Sequence, residues 1–200
     1  MWPCPRMPTR SELDLNAQII YSGRTVTARK GGVSRPIRKL IESQWFAPQY
    51  SLFDYGCGRA IDVRWLQERG YDAAGWDPEH HPHAPVLKAD IVTLLFILNV
   101  IPNLEERAQA LINSYNLSTQ ILMIAVRQGK LSDNREPYSD GYYIRARQTF
   151  QKIYDHDELR AYVALTLNIP DHYLHTVERG MLLVFKNPRL LESHLIRYKS

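Results

Sequence analysis

A short apolar strand runs into a glycine turn, then a helix-length segment, then a second strand that ends in an acid, and this order constrains the chain most. Leu52-Phe53-Asp54-Tyr55-Gly56-Cys57-Gly58 reads as a buried strand entering a tight turn. Arg59 to Arg69 carries Ile61, Trp65 and Leu66 at helical spacing, and Gly70 stands where a helix stop favours a residue tolerant of positive φ. Ala73-Ala74-Gly75-Trp76 is a second strand, closed by Asp77. That acid falls 19 positions after Gly58, where a nucleoside-binding α/β fold takes up ribose hydroxyls.

What the turn lacks narrows the ligand. A diphosphate fingerprint needs a third glycine so that helix and strand pack closely beside the phosphates, and that position is Ile61. No Gly-x-x-x-x-Gly-Lys-Ser/Thr phosphate loop occurs, which removes support for an ATPase or GTPase. An acid two residues before Gly-x-Gly and a second acid closing the next strand resemble motif I and the following acidic position of class I S-adenosylmethionine-dependent methyltransferases. The resemblance implies S-adenosyl-L-methionine as cofactor. The cofactor-binding set it implies is Asp54, Tyr55, Gly56, Cys57, Gly58, Asp77, Pro78 and Asn99, with Asp54, Gly56 and Gly58 around the methionine end and Asp77 on the ribose. Carboxylates near a sulfonium and an ammonium lower its energy, whereas they would repel a diphosphate.

Several segments together also resemble a narrower bacterial group, the DNA phosphorothioation-associated putative methyltransferases. They are Thr25 to Arg29, Ser34 to Arg38, Phe53 to Arg59, Asp62-Val63, Gly75 to Pro78, Leu98 to Ile101 and Thr149 to Lys152. Members of that group are commonly longer, so the resemblance implies a compact version or the methyltransferase core alone. Ala60 and Ile61 follow Arg59 here, where the group often has another small residue or an acid.

The rest of the chain fits a three-layer α/β sheet. Asp90 opens the apolar run Ile91 to Leu98, which reads as a strand buried on both faces. The stretch between Asp77 and Asp90 is too short for a crossover helix and another parallel strand, and prolines at 82 and 85 bar a helix. The third strand of the resembled sheet is therefore expected to be trimmed, with at most a vestige near 86–88. Asn103 with Glu106 signals a helix whose inner face is Leu104, Ala108, Leu111, Ile112 and Tyr115, and Ile121 to Val126 is a further strand. Residues 127–150 read as an inserted loop or lid. Asp155 with Glu158 starts a helix to about Leu165. Tyr173 to Val177 and Met181 to Phe185 form an antiparallel hairpin around Glu178-Arg179-Gly180. At 200 residues one domain is expected, over 18–200, preceded by a loose arm at 1–17 that holds Pro3, Pro5 and Pro8.

Methyl transfer from a sulfonium is an in-line displacement, so alignment and exclusion of water matter more than a base. Asn99 is the catalytic candidate, since it follows the central strand at its carboxyl end. Amino-group methyltransferases acting on nucleobases often place Asn or Asp before Pro-Pro and an aromatic residue there. Here Val100-Ile101-Pro102 comes next, and Asn99 reads equally as a capped turn residue. His80, His81 and His83 lack the convergent partners of a metal site. No metal is expected, and their loop is either solvated or covers the adenine.

A net charge of +4 permits a nucleic-acid partner without demanding one. Two segments are candidates, 24–39 with Arg24, Arg29, Lys30, Arg35, Arg38 and Lys39, and 145–152, where Arg145, Arg147 and Lys152 stand near Tyr142, Tyr143 and Phe150. The substrate candidates are Arg29, Arg35, Arg38, Tyr142, Tyr143 and Arg145. The competing reading is a solvated helix face and ordinary core aromatics. The leading expectation is methylation of a DNA or RNA base, in bacterial DNA modification. A small-molecule methyltransferase and a non-catalytic cofactor-binding module are the alternatives. Two cysteines, Cys4 and Cys57, make no disulfide framework. With no apolar core near the N-terminus and no run long enough to span a bilayer, a cytoplasmic protein without a membrane partner is expected. The sequence does not disclose the oligomeric state.

Overall fold

The structure is a computed structural model that describes residues 32–129, 135–145 and 149–192. The elements in order are α1 (Arg35–Glu42), β1 (Leu52–Tyr55), α2 (Ile61–Gln67), β2 (Ala73–Trp76), β3 (Ala89–Leu95), α3 (Leu104–Leu117) and β4 (Ser118–Ala125). Next come β5 (Glu136–Tyr138), β6 (Gly141–Ile144), β7 (Thr149–Gln151), α4 (His156–Leu167), β8 (Leu174–Glu178) and β9 (Met181–Phe185). The main sheet has the order β2-β1-β3-β4-β9-β8; its first four strands are parallel, and β9 runs antiparallel to both β4 and β8.

Period-two alternation divides the core into two layers. Ile121, Met123 and Ala125 of β4, with Met181, Leu183 and Phe185 of β9, point to the face covered by Ile37 and Leu40 of α1 and by Val63 and Leu66 of α2. Leu122, Ile124, Leu182 and Val184 point the other way, against Leu111 of α3 and Leu159 and Val163 of α4. Strands buried on both faces read as continuous apolar runs, and this explains why β3 and β4 stand out in the sequence.

The helix signals are realised. Asn103 Oδ1 accepts from the backbone N–H groups of Glu105 and Glu106, and Asp155 with Glu158 closes a full capping box. Gly70 ends α2 at φ 80°. No strand lies in 78–88, so β2 is the edge of the sheet among the described residues.

Two expectations need correction. Within the expected loop, Glu136–Tyr138, Gly141–Ile144 and Thr149–Gln151 pair as a three-stranded antiparallel sheet, β5-β6-β7. The buried face of α3 is Arg107, Ala110, Leu111 and Ser114, while Leu104 is 53% exposed. Both corrections have one cause. Arg107 is 1% exposed, and its guanidinium holds Asp140 at the β5–β6 turn through two hydrogen bonds, 2.6 and 2.9 Å, and donates twice to the Ile101 carbonyl. Lys152 completes the anchor, with Nζ 3.3 Å from Asp140 and 2.6 Å from Glu158 of α4.

At the amino ends of the strands, Asp90 ties β1, β3 and β4 together. One oxygen accepts from the Ser51 N–H and hydroxyl, the other from Thr119 and Gln120. No helix among the described residues is long and apolar enough to cross a membrane.

Asp77, Asp90 and Asp140 all lie below the usual carboxylate range. Burial pushes each up, and the hydrogen bonds each accepts outweigh it. A carboxyl depressed below its unfolded pKa, about 3.9, contributes stability that is complete above that value. The contribution is lost as pH falls through the folded value. Denaturant midpoints are expected to hold down to about pH 5 and to drop between about pH 4 and pH 2. A midpoint flat across that window contradicts the assignment.

Candidate functional site

β1 leads to α2 on one face and β3 leads to α3 on the other, while β1 and β3 are neighbours in the sheet. The chain thus departs to opposite sides at adjacent strands. That opens a crevice at their carboxyl ends, where open α/β sheets bind ligands.

The crevice floor is polar. Asp54 and Thr93 are paired in register across β1 and β3, both are buried, and Thr93 Oγ1 donates to Asp54 Oδ1 at 2.6 Å. They stand on a face otherwise filled by Leu52, Ile91 and Leu95. A buried acid costs free energy unless it is hydrogen-bonded, and the Thr93 hydroxyl supplies one such bond.

The turn after β1 is closely fitted. Gly56 has φ 84°, and a Cβ on it would lie 2.5 Å from Ile97 Cδ1. Gly75 in β2 faces the same turn, where a Cβ would lie 2.8 Å from Cys57 Cβ and 3.1 Å from the Asp54 carbonyl oxygen. Only residues without a side chain let these two backbones approach.

Asp77 fixes both the turn and the loop beyond β2. The Gly58 N–H donates to its Oδ2 at 3.0 Å, while Oδ1 accepts from the N–H groups of Glu79 and His80 at 3.0 and 2.9 Å and lies 3.2 Å from His80 Nδ1. The loop then doubles back. The His81 N–H donates to the Asp77 carbonyl, and Trp76 Nε1 donates to the Pro82 carbonyl. Pro78 is exposed on this loop. Tyr55 stacks at a tilt against Trp76, with centroids 5.3 Å apart, and accepts from Asn113 of α3. Burial pushes the Cys57 thiol up to about 12, reinforced by the charges of Asp54 and Asp77. The thiol therefore stays protonated at neutral pH.

Asn99 is hydrogen-bonded at both ends of its amide. It is 1% exposed; Nδ2 donates to the Lys152 carbonyl at 2.6 Å, and Oδ1 accepts from the Arg127 N–H at 2.6 Å. The amide fastens the loop after β3 to the chain beyond β4 and to the end of β7, which is a positioning role. Tyr143 is also drawn inward: β6 alternates, so Tyr143 packs on Phe150 while Tyr142, 36% exposed, faces out beneath Arg135.

Arg35 is exposed and paired with Glu178 at 2.7 Å, Arg145 is exposed and paired with Glu136, and Arg38 is exposed. Arg29 and the expected arm lie outside the described residues. Ser34 caps α1 beside Asp62, and the Arg35–Glu178 pair sets that helix start at the carboxyl edge of the sheet, near the β8–β9 turn. An open cavity of about 490 Å³, lined by Trp45, Phe46, Tyr50, Tyr71 and Gln120 among others, lies at the opposite, amino-terminal edge. It takes no part in the crevice.

The chain is similar in structure to the 1,6-didemethyltoxoflavin-N1-methyltransferase of Burkholderia thailandensis, solved with its namesake ligand and S-adenosylhomocysteine. The TM-score is 0.55 at 13% identity, over 93% of each chain. This is the Rossmann-like methyltransferase fold. An amino pentose methyltransferase of Micromonospora echinaspora aligns at a TM-score of 0.49 and 12% identity, over 92% of this chain and 100% of its own. No protein-family model and no curated protein matches the sequence. In this chain Asp54, the glycine turn and Asp77 meet at the carboxyl ends of β1 and β2. Sequence reasoning missed Thr93 and Arg107. An arginine spaced three, four and seven positions from Ala110, Leu111 and Ser114 was the available signal for the second.

Proposed function

We propose that the protein is an S-adenosylmethionine-dependent methyltransferase whose acceptor is a nucleic-acid base. The carrying observation is the crevice at the β1/β3 switch point. It pairs a glycine turn that admits close backbone approach with two carboxylates, Asp54 and Asp77, and has no phosphate loop. Two carboxylates suit a sulfonium nucleoside and disfavour a diphosphate.

The residues fit the cofactor. Among the described residues Asp77 Oδ2 accepts only from Gly58, which leaves a lone pair for a ribose hydroxyl. The His80 and Glu79 N–H groups hold the other oxygen and fix the carboxylate plane. On this reading Asp54, held by Thr93, would supply negative charge for the methionine ammonium. The cofactor, when bound, supplies an electrophilic methyl group. The chain aligns the acceptor with it and keeps water out, and Asn99 braces the loops that do so.

The acceptor reading is supported by exposed Arg38 and Tyr142 and by the solvent-exposed Arg35 and Arg145, whose ion pairs a phosphate can replace at little cost. The narrower likeness to the phosphorothioation-associated group is carried by the sequence segments alone, and it favours DNA in a bacterial cytoplasm. Incubation with methyl-labelled cofactor and cell extract, then nuclease and protease digestion, tests the proposal. Nuclease-sensitive label is the expected result. Label in small molecules moves the acceptor, and no label in any fraction contradicts the enzyme reading.

A further inference from the structure

We infer that Phe96 and Arg127 form the acceptor platform of this crevice, Phe96 stacking on a base of single-stranded nucleic acid and Arg127 pairing with an adjacent phosphate. The inference rests on the methyl-transfer reading. Phe96 follows β3 directly, with φ 62°, a left-handed conformation that is a genuine outlier for a bulky residue. Its side chain stays partly in water. It is 41% exposed and belongs to neither core layer. An unfavourable backbone that presents an aromatic ring to water persists where its surroundings over-determine it, which is common at binding sites. Here the Phe96 N–H donates to the Ala125 carbonyl at 2.7 Å, and Ile97 packs on Gly56. The Phe96 backbone is therefore held at the carboxyl end of β3, next in sequence to the residue that packs on the glycine turn.

Arg127 stands two residues beyond Ala125, whose carbonyl the Phe96 N–H meets, so both residues lie just past the carboxyl ends of the adjacent strands β3 and β4. Its N–H is held by Asn99; the residue is half-buried, and its side chain has no hydrogen-bonded or ionic partner among the described residues. The ring takes a planar partner and the guanidinium an anion. A nucleotide unit offers both side by side, and an unpaired base is free to leave its stack.

Fluorescence anisotropy with saturating S-adenosylhomocysteine tests this, using a labelled single-stranded DNA of about 12 nucleotides and an abasic strand of equal length. The base-containing strand is expected to bind about tenfold tighter or more. Phe96→Ala removes that preference and Phe96→Trp keeps it. Phe96→Gly also removes it while raising the melting midpoint by about 3 °C, because glycine relieves the strained φ. Arg127→Ala weakens both strands and lowers the salt slope by about one. S-adenosylhomocysteine affinity stays constant throughout; its absence in the wild type is a failure of the cofactor reading instead. With cofactor binding intact, equal affinity for the two strands, binding of neither, or an unchanged preference in Phe96→Ala overturns the platform.

Discussion

Arg107→Ala is expected to lower the unfolding free energy by roughly 3–5 kcal/mol, because removal of one partner from a buried ion pair leaves the rest uncompensated. The guanidinium is enclosed, so truncation strands Asp140 beside Lys152, takes both donors from the Ile101 carbonyl and leaves a void under the Phe150 ring. The β5-β6-β7 sheet touches α3 through this anchor, so the loss falls there first. Urea denaturation monitored by circular dichroism measures it. Adding Asp140→Asn to the Arg107→Ala background should restore part of the loss, since the carboxylate deprived of its guanidinium is then gone. A loss under about 1 kcal/mol for the single variant contradicts the anchoring role.

Asp77→Ala has the second large effect, this time on ligand binding. It removes the carboxylate available to the ribose and leaves the N–H groups of Gly58, Glu79 and His80 without their acceptor. Hydrogen bonds to a charged group contribute about 1.5–3 kcal/mol each. Affinity for S-adenosylhomocysteine should therefore fall by roughly 100-fold or more. Asp77→Asn retains one carbonyl acceptor for the loop and should fall less. Thermal unfolding of each variant separates loss of the loop from loss of the ribose contact. Unchanged affinity in folded Asp77→Ala contradicts the assignment of Asp77 to the ribose.

The local parts of this fold were legible because local chemistry decides them. The Leu52 to Asp77 unit, the Asn103 and Asp155 caps and the Met181 to Phe185 hairpin strand each depend on neighbours in sequence, and each forms as expected. What escaped depends on distant partners. Arg107 is buried only because Asp140 lies against it, and Asn99 is an internal brace only because Lys152 and Arg127 meet it. The β5-β6-β7 sheet was hidden for a related reason. Its strands are short and polar, with Tyr143 and Phe150 as their main inward residues. The crevice was the most legible functional feature, since Asp54, Gly56, Gly58 and Asp77 lie within one βαβ unit.

Calorimetric titration of the wild-type protein with S-adenosylhomocysteine tests the central claim most directly. A saturable isotherm with one site per chain is expected from a crevice whose two carboxylates are already in place. A flat titration of protein shown to be folded contradicts it.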